Sequence, residues 1–513
     1  MNFLRGFLHS DSQNSYPSST CGQKRTTLSD ATQFYRRFFP ILVCCMLLGA
    51  PSLSFGQSTF GSVRGVVQDA SGAVVSDTEI VLHSTDENTE RTVNADASGN
   101  FILENVKAGK YSLHAHHNGF ADTVISGISV EARQDLRLTV ALNIAEQSTT
   151  VQVTSDADQI NTENATLDDS KSNLEMTQLP LNNRATTTSP LGALGLSPNV
   201  QTDSSGNIAL GGASSSMVNF SVDGISTTNV RQNGALQDAY PSQEGIAAVK
   251  VTSFNNSAEF SQIGDVTFTT KNGTNEFHGS LFEYLQNQAL DADPYGFSGK
   301  APKKFNTFGF SLGGPVVIPH LYNGHDKTFF FADYEGNRRT TAVAQQLEVP
   351  TAAERNGDLS GFNVAGQAPL APIPAANISP TAKALLTYIP LPNVSGQSGY
   401  NYDNFQSTPA RTDGADLRLD QTINAKQSAY ARFSRKNITE DYANPFLPND
   451  SDSVHNRSLL ISHTYTITPS LLNEFRYGFT NVTSYLRTIY NYNVNILVGT
   501  NLQTSNVSSL LSP

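Results

Sequence analysis

The chain has 513 residues, 15% of them charged, no tryptophan, and abundant Gly, Ser, Thr and Asn, the profile of a strand-and-turn protein and not of a helical bundle. Its net charge is −12, and residues 1–56 hold five of the 33 basic and two of the 45 acidic side chains, so the remainder is more acidic still and lacks the basic stripe of a nucleic-acid surface. All three cysteines (Cys21, Cys44, Cys45) lie in those first 56 residues, which leaves no disulfide framework or thiolate metal site beyond them.

Arg36-Arg37 precedes an apolar run from Phe38 to Ala50, too short to span a bilayer and flanked by positive charge. With small residues at Ser54-Phe55-Gly56, residues 1–56 read as a secretory signal with a long leader and a mature start near Gln57. A buried hydrophobic segment is the competing reading.

Between 57 and 145 short strands are expected at Gly61–Asp69, Glu79–His83, Asn100–Leu103, Gly109–His116 and Leu136–Leu142, separated by Gly, Asn and Asp turns. That spacing predicts a small β-sandwich. Gly65-Val66-Val67-x-Asp69, Asp96-Ala97-Ser98-Gly99-Asn100-Phe101 and Ala108-Gly109-Lys110-Tyr111 resemble the carboxypeptidase-regulatory-like domain. No His-Glu-x-x-His or His-x-x-Glu pair is present, so zinc-hydrolase chemistry has no ligand set and no metal, cofactor or catalytic residue is assigned. His114 and His116 share one strand face and read as an exposed strand end.

Residues 146–173 include Thr149-Thr150-Val151-Gln152-Val153-Thr154, a β-prone run followed by polar sequence, either the last strand of the sandwich or a segment free to add to a partner's sheet edge. From 174 to 275 come Leu179-Pro180-Leu181-Asn182-Asn183-Arg184, Leu196-Ser197-Pro198-Asn199-Val200, Phe220-Ser221-Val222-Asp223-Gly224 and Gly245–Val251. Asp223-Gly224 reads as a turn. Val266–Thr270, an Asn272-Gly273 turn and an aromatic strand from Phe277 read, on physical grounds alone, as a hairpin. Together these stretches resemble the plug, and its junction with the first barrel strand, of Oar-like TonB-dependent outer-membrane transporters. Departures are Asn183 for a glycine, Gly264-Asp265 for a glycine doublet, and Ala247-Ala248 for acidic and amide positions. The resemblance implies a TonB box at Thr149–Thr154, a TonB-type periplasmic energy transducer as partner, and plug motifs at Leu179, Pro180, Leu181, Asn182, Arg184, Asp223 and Gly224.

Beyond 276 apolar residues alternate with polar ones at 307–313, 416–420, 429–434 and 475–480, as lipid-facing barrel strands do. Lys327–Glu335 and Leu459–Ile467 are less regular strands. A Pro/Gly/Ala/Asn-rich insert, about 342–413, reads as a long extracellular loop with one helix, Ser379 as its N-cap and Pro380 at its first position. Gly309-Phe310-Ser311-Leu312-Gly313 fits a nucleophile elbow, but Gly314-Pro315 follows where that motif needs a helix.

The expected fold is therefore mainly β: a small sandwich, a plug, and the first strands of an antiparallel transmembrane barrel. About eight strand candidates fall far short of the roughly 22 in plugged transporters, so the chain is expected to be incomplete at its C-terminus. The resemblance implies a receptor or transporter in the bacterial outer membrane, touching lipid and an external ligand (glycan, peptide or chelate), without enzymatic or nucleic-acid chemistry. A surface adhesion or carbohydrate-binding protein is the principal alternative and a secreted hydrolase the second.

Overall fold

The computed structural model describes residues 59–144, 151–154, 165–178, 189–202, 207–229, 231, 234–256, 262–293, 295, 300, 302–361, 370–396, 398–443, 450–468 and 471–487. No helix among the described residues is long and apolar enough to cross a membrane. The residues assigned to the signal lie outside this set.

The first body is a sandwich of β1 (Gly61–Asp69), β2 (Glu79–Ser84), β3 (Thr89–Asn94), β4 (Asn100–Val106), β5 (Gly109–His116), β6 (Thr123–Val130), β7 (Asp135–Leu142) and β8 (Val151–Thr154). One sheet runs β4-β1-β7 and the other β3-β2-β5-β6-β8. Val63, Val67, Ile80, Leu82, Leu113 and Val140 fill the space between them. β3 and β6 carry no readable alternation, each for its own reason. Thr89–Asn94 is an edge strand of polar and half-exposed residues. In β6 Gly127 has φ +77° and the register against β5 shifts between Ile125 and Ile128, a bulge that interrupts the two-residue period.

The second body begins with β9 (Leu167–Ser172) and a short helix α1 (Asn173–Gln178), followed by the small hairpin β10 (Val200–Thr202) and β11 (Ile208–Leu210). β12 (Val218–Val222), β13 (Ile225–Ser226), β14 (Ile246–Phe254) and β15 (Gly264–Thr270) complete a sheet ordered β13-β12-β15-β14-β9, in which β12 and β15 are parallel. Phe220, Phe268, Tyr240, Val249 and Val266 form its core.

The third body is a seven-stranded antiparallel meander: β16 (His278–Asn287), β17 (Lys304–Pro315), β20 (Thr328–Leu347), β21 (Tyr402–Asn424), β22 (Gln427–Tyr442), β23 (Asp450–Thr468) and β24 (Leu471–Arg487). A two-strand ribbon, β18 (Val317–Ile318) with β19 (Tyr322–Asn323), lies in the link after β17. The connections after β16, β20 and β22 span residues 288–303, 348–401 and 443–449; at the other end β21–β22 and β23–β24 are joined by two residues each, and β17–β20 by residues 316–327, which carry the ribbon. On β21 Leu417 and Leu419 face out while Arg418 and Asp420 are sealed inside, the apolar-out, polar-in alternation of a barrel wall.

Three differences from the sequence reading have physical causes. Val266–Thr270 and the strand from His278 do not form a hairpin, because β15 belongs to the second body's sheet and β16 to the third. Gly273 is needed there for close approach and not for a turn: a Cβ would sit 2.2 Å from the Phe330 carbonyl oxygen. The β20–β21 ladder continues to Leu347↔Tyr402, so the insert is 348–401 and not 342–413. Its flanking residues are largely polar, as in the Gln345 side chain that donates to Gln406, and there apolar alternation fades. Finally, among the described residues the meander has seven strands, and β18 and β19 form a separate short ribbon beside it.

Within the insert, α2 (Ala352–Arg355) opens on a capping box between Thr351 and Glu354, and α3 (Pro380–Leu386) begins at proline. Ser379 is its N-cap by position, but its side chain makes no capping hydrogen bond.

Candidate functional site: the contact between plug and barrel wall

β12 and β13 are joined by the two-residue loop Asp223-Gly224, with φ +49° and +76°. Positive φ at both positions matches a two-residue hairpin loop to the strand twist and favours an Asp-Gly pair. The loop carries the Asp223 carboxylate into the barrel. One oxygen accepts from the Thr270 backbone N–H at 2.9 Å and the other from its hydroxyl at 2.8 Å. Arg432 on β22 brings Nε to 3.1 Å from the same carboxylate, with both side chains almost wholly buried. That N–H satisfies no hydrogen-bond geometry, so the contact is an ion pair and not a directed bond. Burial pushes the Asp223 carboxyl up, but Arg432, Arg418 and the Thr270 hydrogen bonds outweigh it and hold it below the ordinary carboxylate range.

Arg418 on β21 extends the network. It grips Asp420 with two bonds of 2.9 Å and donates from Nη1 to the Thr270 carbonyl at 3.1 Å and hydroxyl at 3.0 Å, while its guanidinium lies 4.3 Å from the Tyr430 ring centroid. Asp420 also faces the first body, with Lys107 Nζ 3.7 Å away. Lys107 donates to Glu87 at 2.9 Å, and Glu87 accepts from Asn272 at 3.1 Å. Burial works against the Lys107 ammonium, yet Glu87 and Asp420 raise its pKa above the ordinary value. A largely buried polar chain thus links β22 and β21 to the second body through Asp223 and Thr270, and β21 to the first body through Asp420 and Lys107.

Two further contacts seat the second body. Ser242 donates its hydroxyl to Asp333 on β20 and its backbone N–H to Asp416 on β21 at 3.4 Å. Asp333 and Asp416 are directly opposed across the β20–β21 ladder. Gly478 on β24 lies against Ile225, where a Cβ would come within 2.4 Å of the isoleucine side chain.

Asp265, noted in the sequence only as a departure from a glycine doublet, is fully sealed. It accepts from Arg133 of the first body at 2.5 Å and from Asn219 at 2.8 Å. Lys250 donates to the Arg133 carbonyl at 3.1 Å and pairs with Asp168 at 2.7 Å. Arg418, Arg432, Arg133 and Lys107 were not singled out by sequence reading. Arg418 and Arg432 could have been found as cations on the polar face of otherwise apolar-alternating strands; Arg133 and Lys107 leave no such signal.

Of the residues expected in a TonB box, Val151, Gln152, Val153 and Thr154 form an edge strand parallel to β6, with Thr123↔Val151 through Ser126↔Thr154 in register. Thr149 and Thr150, and the plug motif residues Leu179, Pro180, Leu181, Asn182 and Arg184, lie outside the described residues. Ser311 sits mid-strand in β17, with its Oγ 2.8 Å from that of Ser280, and not on a strand-to-helix elbow. His116 pairs with Asp122 at 2.6 Å and His114 with Ser112 at 3.2 Å; among the described residues no cluster of three or more His, Cys, Asp or Glu could hold a metal ion.

Comparison with known proteins agrees with this architecture. Residues 62–143 match the carboxypeptidase regulatory-like domain and residues 269–511 the outer membrane beta barrel domain. Over 337 residues the chain is 25% identical to the TonB-dependent transporter Oar of Myxococcus xanthus, a match covering 62% of this chain and 30% of that protein. The chain therefore spans less than a third of the relative it matches. Similar solved structures include the outer membrane transporter YddB of Escherichia coli (13% identity, TM-score 0.41, 62% of this chain and 39% of that one). A ferric enterobactin receptor from Pseudomonas aeruginosa has 13% identity and a TM-score of 0.35, over 63% of this chain and 42% of that one. The chain is a homologue of the TonB-dependent transporter Oar, located in the outer membrane, with a carboxypeptidase regulatory-like domain ahead of an outer membrane β-barrel domain.

Proposed function

We propose that the protein is an outer-membrane receptor that moves an external ligand inward when a TonB-type partner draws on residues 149–154 and releases the plug (the second body, from β9 to β15) from the barrel wall. The observation that carries the reading is the sealed Asp223–Arg432 ion pair, flanked by the Arg418–Thr270 bonds. The pair ties plug to wall, because leaving either charge buried without the other costs about 3–5 kcal/mol. The plug can still be displaced by applied work, because water re-solvates both charges once they part.

Orientation follows from the connections. Long ones face the exterior in barrels of this kind and short ones the periplasm. The first body lies at the short-turn end, where Glu87, Lys107 and Tyr111 line a small cavity together with Thr422, Lys426 and Ser428. In this reading the first body, β8 included, is periplasmic and within reach of an inner-membrane partner. β8 is an edge strand with one ladder satisfied by β6, so its other edge can accept a partner strand by β-augmentation. Ligand selection falls to the opposite end, on the 348–401 insert and neighbouring connections.

The test uses the absence of cysteine after Cys45. A Gln152→Cys variant in outer membranes is mixed with the periplasmic domain of a TonB-type protein carrying a single cysteine in its terminal strand. A disulfide-linked adduct is expected at Gln152→Cys and not at a control cysteine in an exposed turn of the same domain, Ser71→Cys. A membrane-inserted variant that forms no adduct would sink TonB energisation.

A further inference from the structure

The outward face of the meander changes character along its length. Leu312, Ala332, Leu417, Phe433, Leu459 and Phe479 form one continuous cross-strand row, and Leu419, Ala431, Ile461 and Tyr477 form the next. Toward the long-connection end this apolar band gives way to arginine. Arg435 and Arg457 are directly opposed on β22 and β23, each two residues beyond the band, about 7 Å along the strand. Farther along, Arg338 and Arg411 are directly opposed on β20 and β21.

Like charges facing each other across a ladder destabilise it unless something neutralises them. Arg338 has an internal partner, Asp413 at 2.6 Å, which also accepts from the Tyr334 hydroxyl at 2.6 Å. Arg435 and Arg457 are exposed and form no ion pair among the described residues; Arg411, also exposed, has Asp413 two residues along its own strand but makes no direct ion pair with it. The other carboxylates on this outward face are Glu283, opposite Phe308 on β17, Asp403, opposite Gln346 on β20, and Asp441 near the end of β22. A cavity of about 610 Å³ opens beside Lys304, Arg338 and Arg411, with Asp441 on its rim. The cations outnumber the acids here, although the chain as a whole is acidic.

We infer that this arginine belt binds phosphate-bearing lipid headgroups of the outer leaflet. The inference rests on the membrane orientation proposed above. The position selects the occupant: groups on the next outward-facing row beyond a lipid-facing apolar row lie toward headgroup depth, and an anchored phosphate is present there at high local concentration. The chemistry agrees, since a guanidinium fork grips phosphate oxygens in pairs and is more easily desolvated than an ammonium. A phosphate between Arg435 and Arg457 turns a repulsive pair into a bridged one.

The full chain is purified in detergent, passed through mixed micelles of phosphatidic acid or of phosphatidylcholine, and re-isolated for lipid phosphorus analysis. Retention of phosphatidic acid well above phosphatidylcholine is expected, with a loss of about tenfold in R435Q/R457Q. A smaller loss is expected in R435K/R457K, which keeps the charge without the fork. Strand circular dichroism and the thermal midpoint establish that each variant is folded; if R435Q/R457Q fails to fold, R411Q alone, which relieves a repulsive pair, should still lower retention. Equal retention of both lipids, or unchanged retention in the folded variants, overturns the inference. So does displacement of the lipid by inorganic phosphate at matched concentration, which would mark a free-phosphate site. Fractionation of unaltered protein tests the membrane reading separately: absence from the outer membrane sinks that reading, whereas membrane protein without selective retention sinks only the belt.

Discussion

The plug sheet and the barrel wall are both β-sheets of alternating sequence, yet they use alternation in opposite ways. In β15 Val266 and Phe268 enter the plug core while Asp265 and Thr267 point to the other face, and all four are buried. In β21 Leu417 and Leu419 are about half exposed while Arg418 and Asp420 between them are sealed. A plug strand hides its polar face against Arg133 of the first body; a wall strand hides its polar face against the plug and turns its apolar face to lipid. The difference teaches that a period of two reports two unlike faces, and that the neighbouring body decides which face is inside.

The largest expected break in this arrangement comes from the polar interior. Arg432→Leu leaves Asp223 buried without its ion pair and should cost about 3–5 kcal/mol. Denaturant unfolding of the purified protein in detergent would measure it, and the loss should shrink in the Asp223→Asn/Arg432→Leu double variant. A cost that is the same with and without the Asp223 charge would show that the pair does not hold the plug.

On the outer face, Leu417→Arg places a charge in the middle of the apolar band and should destabilise the membrane-inserted protein by about 2–4 kcal/mol. Refolding into lipid vesicles reads this out directly. An unchanged free energy would place Leu417 away from the lipid and contradict the assigned outward face.

The smallest effect is the pH response of the plug contact. The folded Asp223 carboxyl titrates below its unfolded value of about 3.9, so its stabilisation is present above that pH and lost as pH falls through the lower folded value. The unaltered protein should lose more stability on acidification below pH 4 than Asp223→Asn does. Parallel acid profiles would remove Asp223 as a contributor.

Part of this was legible in the residues. Phe308, Phe310 and Leu312 against Ser311 and Gly313 announced a two-faced strand, and Pro380 announced a helix start, because local sterics and solvation set both. Thr351-x-x-Glu354 carried a capping-box signal that pattern reading passed over. β6 was hidden by its bulge at Gly127. The Asn272-Gly273 pair misled, since a dipeptide that tolerates a tight turn also tolerates the close pass beneath Phe330. Asp265 looked like a mere departure from a motif, because its partners Arg133 and Asn219 lie 132 and 46 residues away.

By itself, then, the sequence determined the strand-rich class, the order of the bodies and the two-faced character of most strands, all of which follow from side-chain chemistry within a few residues. Tertiary structure alone decided that Asp223 meets Arg432, that Lys107 reaches Asp420, that β8 lies along β6, and that Arg435 faces Arg457. Each of those needs a register or a docking between distant segments, and a charged residue in sequence carries no mark of which opposite charge, or which like one, the fold will bring beside it.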